Sequence, residues 1–252
     1  MNELSFFHWL IVGWFVLAAV VFISLFFFVA PYGRYARRGW GFAVNNRLGW
    51  VIMEAASPLA LAVCFVLGSN PITVTSVVFL VLWEAHYIHR SFIYPFSLRR
   101  HVQGMPLLVV SFGCIFNLVN GYLNGRHIFT FSDGYSNQWL ADPRFIIGLA
   151  LFITGYVINR HADDTLRRLA NDNGGYKIPY GGLYRWISCP NYLGEITIWA
   201  GWAIATWSLP GLAFAVWTAA NLVPRARTHH AWYKEHFPDY PARRKALLPG
   251  LW

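Results

Sequence analysis

Seven long apolar blocks constrain this chain more than any other feature. They run over about 7–30, 48–68, 72–94, 105–124, 144–162, 190–208 and 210–229. Each is long enough, or nearly so, to cross a hydrocarbon core that needs about 20 residues. Blocks of this kind leave apolar surface that must face lipid as well as neighbouring helices. Hydrophobic residues make up 56% of the chain and charged residues 12%, roughly half the usual charged share, which excludes an ordinary soluble domain. The pattern predicts an all-α, polytopic membrane protein with seven transmembrane helices. Met1-Asn2-Glu3-Leu4 lacks the positive region of a signal peptide, so the first block is read as a retained helix. Ser208-Leu209-Pro210-Gly211 has the chemistry of a tight turn between the last two spans.

The net charge of +9 points first to nucleic acid, but its distribution points to topology. Of the 20 Lys and Arg residues, 18 fall on one side of the seven spans. They are Arg34, Arg37, Arg38 and Arg47, then Arg90, Arg99 and Arg100, then Arg160, Arg167, Arg168, Lys177 and Arg185, and finally Arg225, Arg227, Lys234, Arg243, Arg244 and Lys245. Arg126 and Arg144 fall on the other side. Because basic loops are retained in the cytoplasm, this split places the N-terminus outside and the C-terminus in the cytoplasm, and nucleic-acid binding is not expected. Cys64, Cys114 and Cys189 form no CxxC or Cys/His spacing, so neither a disulfide framework nor a metal site is expected. The chain shows no internal repeat and no flexible linker, and reads as one membrane domain over 1–252 with cytoplasmic loops at 160–189 and 230–252.

Polar groups inside membrane helices are costly, and three sets here share helical spacing. Asn159, Asp163 and Arg167 stand at i, i+4 and i+8; Asn191 and Glu195 at i, i+4; Arg225, His229 and Tyr233 at i, i+4 and i+8. Each set lies on one helix face, and all three lie at the cytoplasmic end. Taken singly, such a pair reads as helix-surface bonding or an interfacial anchor. Together, their carboxylates and amides suit ribose hydroxyls and a carboxamide, and their arginines suit phosphates, a combination that can hold a dinucleotide. No GxGxxG follows a strand and no GxxxxGK[ST] occurs, so the site is neither Rossmann-type nor a P-loop. Gly174-Gly175 and Gly181-Gly182 read as loop turns.

Glu54 and Tyr87 lie deeper, in the cytoplasmic halves of the second and third blocks. An isolated glutamate there is driven towards its neutral form by desolvation. A neutral carboxylic acid beside a phenol offers two hydrogen-bond donors to a carbonyl oxygen that gains negative charge. Glu54 reads equally well as a helix–helix hydrogen bond. Glu84, one turn before Tyr87, is a rival partner.

Several segments resemble the steroid 5-alpha-reductase family. They are His86-Tyr87-Ile88-His89-Arg90, Tyr176-Lys177-Ile178-Pro179-Tyr180-Gly181-Gly182-Leu183, Asn191-Tyr192-Leu193-Gly194-Glu195, Ala205-Thr206-Trp207-Ser208-Leu209-Pro210 and Asp239-Tyr240-Pro241-Ala242-Arg243-Arg244-Lys245-Ala246-Leu247. The resemblance is continuous from about residue 80 to the end and weaker around Glu54. It implies NADPH-dependent reduction of a 3-oxo-Δ4 steroid within a seven-helix fold. By the same resemblance, NADPH is held by Asn159, Asp163, Arg167, Tyr176, Asn191, Glu195, Arg225, His229 and Tyr233. The carbonyl pair implied is Glu54 and Tyr87. Three departures stand out: Met53 where the family often has glutamine, Ala170 with a changed Asn171-Asp172-Asn173-Gly174-Gly175 loop, and no arginine between Met105 and Asn124.

The expected layout has steroid-side helices over about 7–124 and cofactor-side helices and loops over about 144–252. The enone enters from membrane lipid into an aromatic-lined cavity among the first four helices. The protein is expected to be a monomer in a bacterial inner membrane or an endoplasmic reticulum membrane, with its cofactor site facing the cytoplasm. Two rival classes are an S-adenosylmethionine-dependent membrane methyltransferase and a non-enzymatic sterol-binding membrane protein.

Overall fold

The computed structural model describes residues 2–29, 35, 41–97, 104–171 and 176–250, with the side chains of Ala170 and Asn171 left out. Arg34, Arg37, Arg38, Arg99 and Arg100 of the basic split lie outside the described residues, as do Asp172-Asn173-Gly174-Gly175 and the side chain of Ala170. The long elements are α1 (Glu3–Phe27), α2 (Asn46–Val66), α3 (Val74–Ile88), α5 (Leu107–Arg126), α6 (Pro143–Asn171), α7 (Pro190–Thr206) and α8 (Leu209–His236). A π-turn over His89–Ile93 joins α3 to the short α4 (Tyr94–Ser97), and a second over His127–Phe131 extends α5. Among the described residues the only sheet is a two-residue pair, β1 (Ala43–Val44) antiparallel to β2 (Met105–Pro106), so the all-α expectation needs little amendment.

Among the described residues, four helices are long and apolar enough to cross a membrane: Glu3–Phe27, Asn46–Val66, Leu107–Phe131 and Pro143–Leu169. They mark the chain as a membrane protein. Their outward residues, such as Trp9, Phe27, Leu59, Val66 and Phe112, are exposed, as lipid-facing side chains must be. Local chemistry sets the ends. Thr73 caps α3 by a reciprocal pair, its Oγ1 accepting from Ser76 N at 3.1 Å while Ser76 Oγ accepts from Thr73 N at 2.9 Å.

The turn between α7 and α8 differs from expectation. Trp207, in the left-handed region at φ 45°, and Ser208 make the turn, while Leu209, Pro210 and Gly211 already belong to α8. Proline fits the first helical turn because its missing N–H is unpaired there anyway, and Ser208 Oγ accepts from Gly211 N at 3.1 Å. Both α6 and α8 also run past the expected ends of their spans, to Asn171 and His236. The polar sets therefore sit on unbroken helix.

The chain forms two compact units, Met1–Trp9 with Ala30–Asp142 and Leu10–Val29 with Pro143–Trp252. In the first, α2 packs closely on α5. A Cβ at Gly113 would collide with Met53 Sδ, and one at Gly121 would stand 2.7 Å from Ser57 O. Glu3 holds Arg126 by paired bonds of 2.8 and 2.7 Å. In the second unit, α6 and α7 touch backbone to backbone at Gly148, Gly155, Gly194 and Gly201, the small-residue contact by which membrane helices approach most closely. Trp217 Nε1 donates to Trp14 O at 2.8 Å, with the two rings 5.1 Å apart.

Candidate functional site

The second unit gathers most of the polar residues expected at the cofactor site. Gly155 and Gly194 bring α6 and α7 so close that polar side chains reach across without spanning a gap. Asn159, buried on α6, donates through Nδ2 to Asn191 O at 3.0 Å and to Glu195 Oε2 at 3.1 Å. Asn191 Nδ2 in turn donates to Asp163 Oδ1 at 3.3 Å. The four residues form one network over two turns of two helices.

On α8, His229 Nε2 shares a 2.9 Å hydrogen bond with Tyr192 OH, and the Arg225 guanidinium stands 5.6 Å over the Tyr192 ring. Tyr192 was not singled out by spacing, because it falls beside the Asn191/Glu195 face. Its signal lay in standing next to Asn191, where an aromatic hydroxyl at a helix start reaches the neighbouring helix. Trp199 was also missed, and its Nε1 donates to Glu195 Oε1 at 3.2 Å.

The other expected residues have different surroundings. Arg167 pairs with Asp164 at 2.9 Å on its own helix. Tyr176, 53% exposed, meets the Trp232 ring edge-on at 5.1 Å. Tyr233 is buried with Ile178 and Tyr240, its ring stacked on Tyr240 at 5.3 Å. The Gly181-Gly182 turn is present, with φ of 93° and 48°, a conformation that glycine adopts without strain.

A clamp fastens the following segment to this end of the unit. Ser188 N and Cys189 N donate to Lys245 O and Ala246 O at 2.8 and 3.1 Å. Ser188 Oγ is 2.6 Å from both His230 Nδ1 and Tyr240 OH. Burial holds the His230 imidazole below the usual histidine range, and the cations Lys234, Arg244 and Lys245 push in the same direction. Burial likewise raises the Tyr240 and Tyr184 phenols.

The first unit holds the other pair. Glu54 on α2 is 8% exposed and Tyr87 on α3 is 3% exposed. Glu54 is not isolated as expected, because Arg90 Nη2 lies 3.7 Å from its Oε1. Arg90 falls in the π-turn, the kind of helical irregularity that recurs at functional sites. Its guanidinium stands 5.3 Å from both the Trp50 and Tyr94 rings, and its carbonyl accepts from Trp50 Nε1 at 3.1 Å. Tyr87 OH donates to Asn117 Oδ1 at 3.3 Å. The signal for Asn117 was the buried series Asn117, Asn120 and Asn124 in an otherwise apolar helix. Glu84 is half-buried, and among the described residues its Oε1 has no hydrogen-bond partner.

Chemically, the first unit offers a buried phenol and carboxyl beside a half-buried guanidinium, and the second offers amides, carboxylates and arginines. The donor set in the second suits hydroxyl, carboxamide and phosphate groups. Among the described residues no group of three His, Cys, Asp or Glu could hold a metal ion.

A helical membrane protein with two such sets of polar residues fits an enzyme acting on an apolar substrate. The comparisons make the class specific. The family described as 3-oxo-5-alpha-steroid 4-dehydrogenase matches residues 103–252. Steroid 5-alpha-reductase DET2 of Gossypium hirsutum is 39% identical over all of this chain and 99% of its own length. The 3-oxo-5-alpha-steroid 4-dehydrogenase 1 of Bos taurus is 40% identical over 93% of both chains, and that of Homo sapiens is 41% identical over 87% of this chain and 85% of its own. This chain belongs to the 3-oxo-5-alpha-steroid 4-dehydrogenase (steroid 5-alpha-reductase) family, oxidoreductases acting on a CH–CH bond. That membership sets aside the methyltransferase and the non-enzymatic readings.

Proposed function

We propose that this protein reduces the C4–C5 double bond of a 3-oxo-Δ4 steroid with NADPH. The observation that carries the reading is the Asn159–Asp163–Asn191–Glu195 network, in a chain related over its whole length to proteins named for this reaction. Asn159, Asp163, Asn191 and Glu195 would hold hydroxyl and carboxamide groups of the cofactor. Arg167 and Arg225 would meet its phosphates, with Tyr176, His229 and Tyr233 completing the site. NADPH, when held there, would supply the hydride for the β-carbon, and a proton taken up at the α-carbon would complete reduction of the double bond.

The protein's own part at the substrate is polarisation. Tyr87 donates a hydrogen bond to the 3-oxo oxygen without a change of charge, drawing electron density from the β-carbon. Glu54 donates to the same oxygen as the acid. Its Oε1 lies 3.7 Å from Arg90 Nη2, beyond hydrogen-bonding range, and it is the protonated form of the carboxyl that has a hydrogen to donate to the carbonyl. The buried position of both groups strengthens these interactions.

The architecture proposed is a single domain of seven spans. The four apolar helices are joined by α3 continued through α4, by α7 and by α8, with the N-terminus outside and the cofactor site facing the cytoplasm. The enone enters from membrane lipid on the side of the first four spans, and the protein works as a monomer.

The test is reduction of testosterone or progesterone by the purified protein with NADPH, comparing wild type with Glu54→Gln and Tyr87→Phe. Tyr87→Phe should lose turnover by about a hundredfold or more, the scale of one lost oxyanion donor, and Glu54→Gln, whose amide still donates but is a weaker acid than the carboxyl, should also lose turnover. Full activity in both removes the carbonyl-polarising pair, and no reduction of any 3-oxo-Δ4 steroid by wild type removes the reading.

A further inference from the structure

The geometry points to Asn117 as a positioning residue that sets both members of the carbonyl pair from one side chain. This rests on the reading of Glu54 and Tyr87 given above. Asn117 is 4% exposed on α5, one turn beyond Gly113, where the missing side chain makes room for the side chain of Met53. Its Nδ2 donates to Met53 O at 2.8 Å, and its Oδ1 accepts from Tyr87 OH at 3.3 Å. The two ends of the amide cannot be exchanged. A backbone carbonyl only accepts, so the nitrogen must face Met53 and the oxygen must face the phenol.

Two consequences follow. The phenol of Tyr87 is held with its hydrogen directed at one fixed acceptor, so the ring cannot drift while the site is empty. The Met53 carbonyl belongs to the residue before Glu54, so the same amide pins the turn of α2 that carries the carboxyl. When a substrate oxygen arrives, the phenol hydrogen turns from a long 3.3 Å bond to a stronger acceptor, at little cost. Asn117 touches neither substrate nor cofactor in this account, and acts through Tyr87 and Met53. The Asn117, Asn120 and Asn124 series marks its helix face but not its role, which is defined by three helices meeting at one amide.

The experiment uses the full chain in detergent or nanodiscs, with testosterone and NADPH. Asn117→Leu should lower kcat by about ten- to a hundredfold, the scale of a small misplacement of a reacting group, while the Kd for NADPH stays at the wild-type value. The double variant Tyr87→Phe/Asn117→Leu should lose much less than the product of the two single losses, since one acts through the other. Asn117→Asp gives a readout that simple space-filling would not. Its protonated carboxyl offers one O–H to Met53 O and one C=O to Tyr87, reproducing the amide. Its turnover relative to wild type should therefore rise as pH falls, and this carries the test if the leucine variant fails to fold.

Wild-type kcat in Asn117→Leu, full multiplicativity in the double variant, or a flat Asn117→Asp to wild-type ratio across pH each overturns the assignment. These are distinct from failure of the reading beneath it. In that case Tyr87→Phe and Glu54→Gln themselves retain full turnover.

Discussion

The close contact of α6 and α7 makes the sharpest prediction, because the space at Gly194 can be measured. A Cβ there would stand 2.5 Å from Asn159 N, 2.7 Å from Gly155 O and 2.9 Å from Asn159 Cα. All three are backbone atoms, so no side chain can swing aside. Ordinary contact begins near 3.4 Å, so Gly194→Ala must part the helices by roughly 1 Å at this level. The Asn159 Nδ2 bonds to Glu195 Oε2 and Asn191 O, at 3.1 and 3.0 Å, then stretch to about 4 Å, beyond hydrogen-bonding range. Overpacking costs about 1–3 kcal/mol, and each lost bond about 1 kcal/mol. Together they amount to about 3–5 kcal/mol against the α6–α7 pair, less whatever the helices recover by relaxing.

The expected outcome is a lower unfolding temperature and an NADPH affinity weakened about tenfold or more, since the residues proposed to hold the cofactor no longer converge. NADPH binding would be followed by fluorescence, alongside a thermal melt in the same detergent. Gly13→Ala is the matched control, because a Cβ at Gly13 meets nothing within 4 Å and alanine favours the helix. If Gly194→Ala bound NADPH and melted like wild type, close helix approach would not be what assembles the network.

Two further outcomes follow from other residues. His230 is held below its usual value of 6.5, so the unfolded chain binds the proton more readily than the folded one. Its contribution to stability is complete above about pH 6.5 and is lost as pH falls from there towards the folded value. Melting temperature should thus drop on acidification, with a shallower slope in His230→Gln, and equal slopes would exclude the buried His230 imidazole as the cause. Arg90→Lys should lower steroid turnover about tenfold in steady-state assays, because a lysine lacks the planar guanidinium that stands 5.3 Å from both the Trp50 and Tyr94 rings and so loses its place beside Glu54. Unchanged turnover would remove Arg90 from the site.

Much of the fold was legible in the chain because lipid imposes a simple rule. A span must be apolar over its whole length, and the blocks around α1, α2, α5 and α6 obey it without help from other residues. Helical spacing likewise placed Asn159 with Asp163 and Asn191 with Glu195, since residues four apart share a face whatever the surroundings. Identity of the family was legible for a different reason: short motifs such as Asn191-Tyr192-Leu193-Gly194-Glu195 carry chemistry and packing together.

Spacing could not reveal partners drawn from other helices. Arg90 beside Glu54, Asn117 between Met53 and Tyr87, and Tyr192 against His229 are set by which helix faces which, and at what distance. Glu54 shows the difference most plainly. Sequence placed it in an apolar span, where a lone carboxyl sheds its charge, and only the packed helices brought a guanidinium to it. A one-dimensional pattern fixes the face of each helix. The depth, register and neighbours of that face depend on contacts such as Gly155 against Gly194, which exist only once the helices have met.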